Sequence, residues 1–115
     1  MSTDYRQARE HINTLGRKFG AELPSVAGAF GQLHKTALGP GALDQKTKEL
    51  MALGIAITSK CEGCIAYHLH DALKAGATHK EVVETIGVAV MMGGGPAMIY
   101  GGKALEALHQ LSAEG

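Results

Sequence analysis

Two thiols and an imidazole fall within eight residues in the segment Cys61-Glu62-Gly63-Cys64-Ile65-Ala66-Tyr67-His68. Cysteines three apart on a helix can close a disulfide where local geometry permits. On a helical wheel with Cys61 at 0°, Cys64 falls at about 300° and His68 at about 340°, so the three share a stripe. Ile65, Leu69 and Ala72 border it, which makes it the flank of a core-facing side. Tyr67, His70 and Lys74 point the other way, and Tyr67, His70 and Asp71 read as surface or interface residues. Cys61 lies at a helix N-terminus, where exposed N–H groups and the macrodipole favour a thiolate. His68, one turn beyond Cys64, can take a proton from that thiol or give one to a leaving group. The simplest chemistry is a dithiol/disulfide cycle: Cys64 attacks, Cys61 resolves the intermediate, and a second dithiol resets the pair. Structural buried thiols are an alternative. So is zinc, with Cys61, Cys64 and His68 as three ligands, although His70 faces away and no second CxxC completes a tetrahedral set. Glu49 is the other candidate. It stands at the head of the apolar run Leu50 to Ile57, and a carboxylate held beside such a run tends to bind its proton more tightly, which suits proton transfer.

The elements that must position these residues are helical. No useful strand-like alternation occurs, and the punctuation separates six blocks. The first runs from about Asp4 to Gly20, and the second opens at Pro24 and ends near Leu38, before Gly39-Pro40-Gly41. Asp44 is a good N-cap for the third, which carries Glu49 and fades at Thr58-Ser59. The fourth runs from about Cys61 to Gly76, a natural left-handed terminator. Thr78 to Glu81 is a capping box for the fifth, which reaches about Met92. Pro96 suits the first turn of the sixth, which reaches about Leu111. Gly101-Gly102 inside it cost roughly 2 kcal/mol together relative to alanine, so close helix packing is expected there. The reading is all-α, one domain over residues 1–115.

Bulk properties limit the rest. Hydrophobic residues make up 45% of the 115, but aromatics only 4%, so aliphatic side chains build the core. Several helices are apolar on more than one face, and Met91, Met92 and Met98 read as core or subunit interface, so a homo-oligomer is expected. Eleven basic residues balance eleven acidic ones, which gives no reason to expect nucleic acid or an anionic membrane as partner. The charge-free run Thr85 to Gly102 is broken by Gly93-Gly94-Gly95-Pro96, against a membrane span. Met1 to Glu10 lacks the apolar stretch of a signal peptide. A cytoplasmic location is expected, where a cysteine pair points to catalysis or metal binding rather than a structural staple. The remaining histidines, His11, His34, His79 and His109, are scattered and receive no role.

Glu49, eleven intervening residues, then Cys61-x-x-Cys64-x-x-x-His68 resembles the signature of the AhpD-like alkylhydroperoxidases of the carboxymuconolactone decarboxylase superfamily, over about Leu43 to Leu108. The resemblance implies an all-helical trimer or hexamer without a bound cofactor or metal. It implies Cys64 as the peroxide-attacking thiol, Cys61 as the resolving one, and His68 with Glu49 in a proton relay. The implied partners are a hydroperoxide substrate and a lipoyl-type or thioredoxin-like dithiol reductant. Glu62 and Gly63 stand where some members carry a histidine or an aromatic residue beside the second cysteine. The decarboxylases of the superfamily lack the CxxC, which argues against lactone decarboxylation here. A disulfide reductase that never meets peroxide, a lyase, and a non-catalytic oligomeric scaffold remain as rival readings.

Overall fold

The computed structural model describes residues 3–112. The ends of the expected 1–115 domain, including Met1 and Ser2 of the polar N-terminus, lie outside the described residues. Six helices follow in order: α1 Tyr5–Glu22, α2 Pro24–Leu38, α3 Gln45–Thr58, α4 Glu62–Lys74, α5 His79–Gly93 and α6 Gly95–Ser112. Among the described residues there is no strand, and no helix is long and apolar enough to cross a membrane.

Local chemistry sets the ends. The Asp4 carboxylate accepts from the backbone N–H groups of Arg6 and Gln7 and opens α1. This helix continues past Gly20 to Glu22. Leu23 then closes α1 and opens α2 with Pro24 just after it. Asp44 caps α3 through the Thr47 N–H, and the bonds from Thr47 hold its carboxyl below the usual value. The Thr78–Glu81 capping box at α5 is complete in both directions, and Lys46 Nζ reaches Glu81 at 3.0 Å, joining the starts of α3 and α5. The fourth helix ends at Lys74 in a Schellman turn. Gly76 takes φ +100, its N–H bonds Leu73 O, and the Ala77 N–H bonds Ala72 O, which is the 6→1 and 5→2 pattern of that motif.

The core lies between α3, α4, α5 and α6. Leu53 and Ile57 of α3, Ile65 and Leu69 of α4, Val82 of α5 and Leu108 of α6 are fully buried, each contributing about 1.5–3 kcal/mol by leaving water. Buried alanines, among them Ala66, Ala72, Ala104 and Ala107, fill the gaps and let the helices approach closely. Tyr5 is the one buried residue of α1. Burial, then the neighbouring Glu62 and Glu106 carboxylates, pushes its phenol up to about 12. Gln110 clamps the start of α1 to α6, accepting from Tyr5 N–H and donating to Thr3 O, both at 2.7 Å.

Gly101 and Gly102 divide the expectation made for them. A Cβ on Gly101 would lie 3.0 Å from Val90 Cγ2 and 3.1 Å from Ile86 Cγ2, so α5 and α6 meet there. Gly102 has open space around it. The three methionines Met91, Met92 and Met98 are exposed, so they are no part of this chain's own core. The second helix buries none of its residues; it leans on α1 and touches α3.

Candidate active site

The cysteine pair sits at a junction fixed from both sides. The third helix also ends in a Schellman turn, but its left-handed residue is Lys60, at φ 57. The Lys60 N–H bonds Ile57 O and the Cys61 N–H bonds Ala56 O. A side chain in that conformation costs on the order of 1–2 kcal/mol, and the turn delivers Cys61 directly to the start of α4. There Cys61 is the N-cap and not the first helical residue. Its backbone is extended, at φ −113 and ψ 96, and its Sγ accepts from the Cys64 N–H at 3.2 Å. Cys61 and Cys64 are joined as a disulfide with their Cα atoms 5.2 Å apart. Cys64 is exposed and Cys61 half-buried.

The two residues between the cysteines hold the loop in place. Glu62 accepts from the Thr3 hydroxyl at 3.1 Å and from Lys103 Nζ at 3.3 Å, so it ties the start of α4 to α6. A Cβ on Gly63 would fall 2.5 Å from Cδ1 of Ile12. Any side chain there would displace Ile12, which is why α1 can lie so close to the pair.

Glu49 and His68 meet. Glu49 is 2% exposed, the one buried charged residue among the described residues, and its Oε1 lies 2.8 Å from His68 Nδ1. An isolated buried carboxylate is costly, and the imidazole is the partner that makes this burial tolerable. When the carboxylate is ionised and the ring neutral, the proton sits on Nδ1, leaving a lone pair on Nε2. The link that the sequence supplied only by resemblance is therefore a direct hydrogen bond across the α3–α4 interface.

His68 and both cysteines line one cavity of about 770 Å³. Its opposite wall comes from α1 and α2: Ile12 and Gly16 from the first, Phe30, Gly31 and His34 from the second. The wall is mainly apolar, with Asn13 and Arg17 of α1 also lining it. Tyr67 also lines this cavity, edge-on to His68 with 6.2 Å between centroids, and the Arg9 guanidinium lies over its ring, 5.5 Å from the centroid. The wheel reading of Tyr67 as a surface or interface residue is corrected: α1 packs on that side of α4 and brings Tyr67 into the site. His70 stays outside and pairs with Asp71 at 3.1 Å. His34, given no role from the sequence, stacks on His68 with centroids 5.8 Å apart and planes 20° from parallel. No local signal marks it, because the contact joins α2 to α4. Among the described residues no three His, Cys, Asp or Glu side chains are grouped so as to hold a metal ion.

Comparison with known proteins agrees with this architecture. Residues 24–107 match the carboxymuconolactone decarboxylase family. An uncharacterised protein of Cupriavidus necator is 33% identical over 98% of this chain and 100% of its own length. One from the cox locus of Paracoccus denitrificans is 38% identical over 76% of this chain and 78% of its own. A solved carboxymuconolactone decarboxylase family protein from Legionella pneumophila superposes with a TM-score of 0.90 at 42% identity, over 94% of this chain and 96% of that one. A Thermotoga maritima family member, for which involvement in an antioxidative response has been suggested, gives 0.80 at 29% identity over 96% and 92%. With a family match over residues 24–107, from the start of α2 into α6, and a relative alike over its full length, the chain belongs to the carboxymuconolactone decarboxylase family.

Proposed function

We propose that this chain is a thiol-dependent peroxidase of the alkylhydroperoxidase type. The carrying observation is an exposed cysteine, Cys64, bonded to an N-cap cysteine and one turn before a histidine held by a buried glutamate. In the reduced protein, His68 accepts the Cys64 proton. The Cys64 thiolate attacks the terminal peroxide oxygen, the O–O bond breaks, and the alkoxide leaves as the alcohol with the proton that His68 returns. Cys64 is now a sulfenic acid. Cys61 attacks it, water leaves, and the disulfide forms. A dithiol partner of the lipoyl or thioredoxin-like class returns two electrons and two protons. Attack of that partner on exposed Cys64 releases Cys61 as thiolate, which the Cys64 N–H and the start of α4 stabilise. The antioxidative role suggested for the Thermotoga maritima relative supports the same reading. A reducing compartment such as the cytoplasm would supply the dithiol.

Mass spectrometry of the reduced protein before and after one equivalent of tert-butyl hydroperoxide tests the cycle. The expected result is loss of two hydrogens, mapped to Cys61 and Cys64. An unchanged mass sinks the peroxidase reading. Oxidation by a protein disulfide alone would point to the disulfide reductase instead.

The same reading includes self-association into a trimer or hexamer. The stripe Val26, Phe30 and Leu33 lies on a helix with nothing buried, and Met91, Met92, Met98 and Ile99 are each about two-thirds exposed or more. Such apolar area rarely stays in water on a single chain. Sedimentation equilibrium should find a trimer or hexamer, and Met92→Lys with Met98→Lys should lower its order. A wild-type monomer at high concentration would rule self-association out.

A further inference from the structure

The proposed chemistry asks His68 to meet Glu49 with one nitrogen and the thiol cavity with the rest of its ring. The hydrogen bond to Glu49 fixes Nδ1 alone. The bond lasts only while χ2 keeps Nδ1 on the carboxylate, so a contact on the ring face adds a restraint against rotation about χ2 that would break it. Tyr67 touches one side edge-on. His34 stacks on the ring, with centroids 5.8 Å apart and planes 20° from parallel. A ring stacked on a ring is what restricts rotation out of plane.

The position of His34 is itself supported. Lys48 of α3 donates to the Gly39 carbonyl at 2.6 Å, which ties the C-terminal end of α2, the helix that carries His34, to α3. A second cavity, of about 470 Å³, lies behind the Glu49 pair and is bordered by Lys35, Glu49, Asp71 and Lys74. Of the described residues lining the two cavities, His34 alone lines both. It therefore borders both the thiol cavity and the second one.

We propose that His34 is a positioning residue: its imidazole, carried by α2, holds the ring of His68 in the orientation in which Nδ1 meets Glu49 and Nε2 is presented to the thiol cavity. The proposal rests on the peroxidase reading for its kinetic consequence but not for its geometry. It also gives α2, which buries nothing, a share in the site.

Two variants and two measurements test it. His34→Ala removes the stacked face; His34→Phe keeps a flat ring and removes the nitrogens. Because α2 buries no side chain, both should fold, which circular dichroism checks. With tert-butyl hydroperoxide and dithiothreitol, His34→Ala should lose about tenfold in kcat with little change in KM, as expected for misplacement of a proton carrier. His34→Phe should recover to within roughly threefold of wild type by the same reasoning. On the oxidised protein, the ring ¹⁵N signals of His68 should report one Nδ1-protonated tautomer in wild type and His34→Phe, and tautomer averaging in His34→Ala. The proposal is overturned if His34→Phe is as impaired as His34→Ala, or if the His68 signals do not change in His34→Ala. If wild type consumes no hydroperoxide, the peroxidase reading falls while the ¹⁵N comparison still decides the role of His34.

Discussion

Cys64→Ser should abolish peroxide consumption, lowering kcat/KM by a factor on the order of 10³ or more, because a serine hydroxyl is not ionised under conditions where a thiol reacts. Cys61→Ser should behave differently. Serine is a better N-cap than cysteine, so the Cys64 N–H keeps an acceptor and α4 keeps its start. The Cys64 thiol can still attack once. Without a resolving thiol the sulfenic acid should persist, so the variant should consume about one equivalent of hydroperoxide and then stall, with Cys64 trapped by dimedone. The exposures favour this division, since Cys64 is exposed and Cys61 is half-buried in the turn from α3. A burst from Cys64→Ser with an inert Cys61→Ser would reverse the roles. Full activity in both would remove the cysteines from the chemistry altogether.

The roles depend on a junction that the sequence describes only partly. The capping residues are legible, because a cap is a local event: Asp44, Thr78 with Glu81, and Gly76 each act within a few residues of the end they set. The Cys64–His68 stripe is legible for the same reason, since both lie on one helix. Cys61 is where the wheel loses its meaning. As an N-cap with extended backbone it has no angle on the wheel, and its nearness to Cys64 comes from capping geometry. The left-handed Lys60 gives no signal either, because the usual marker of that conformation is glycine. Contacts between helices were out of reach. Glu49 meets His68 because α3 and α4 pack on each other across a turn only a few residues long, which no helical period encodes. His34 belongs to a helix whose apolar stripe says that it is amphipathic but not which neighbour its polar residues face. The exposed methionines show the converse: apolarity identifies a residue that seeks burial, and nothing in one chain says whether that chain provides it.

Glu49→Gln should separate the chemistry of the Glu49–His68 pair from its contribution to folding. The side chains are nearly isosteric, and an amide can still hydrogen-bond the imidazole, so the site should remain packed. Replacing a buried carboxylate by a neutral group removes its desolvation penalty along with its attraction for the ring, and these oppose each other. The midpoint of thermal unfolding should therefore change by only a few degrees. The kinetics should not be spared. An ionised carboxylate fixes the proton on Nδ1 and stabilises the charge that His68 acquires when it takes the thiol proton. An amide both donates and accepts, so it permits the tautomer with the proton on Nε2, which cannot act as a base toward Cys64. It also offers no charge to the imidazolium. The two effects together should lower kcat by about 10²-fold. Glu49→Asp, which keeps the charge but withdraws it by one methylene from the 2.8 Å contact, should fall between the two. Wild-type turnover in Glu49→Gln would make the glutamate a packing element and leave His68 to act alone. A large fall in thermal stability together with lost activity would mean that the pair holds α3 against α4 and serves the chemistry only through the fold.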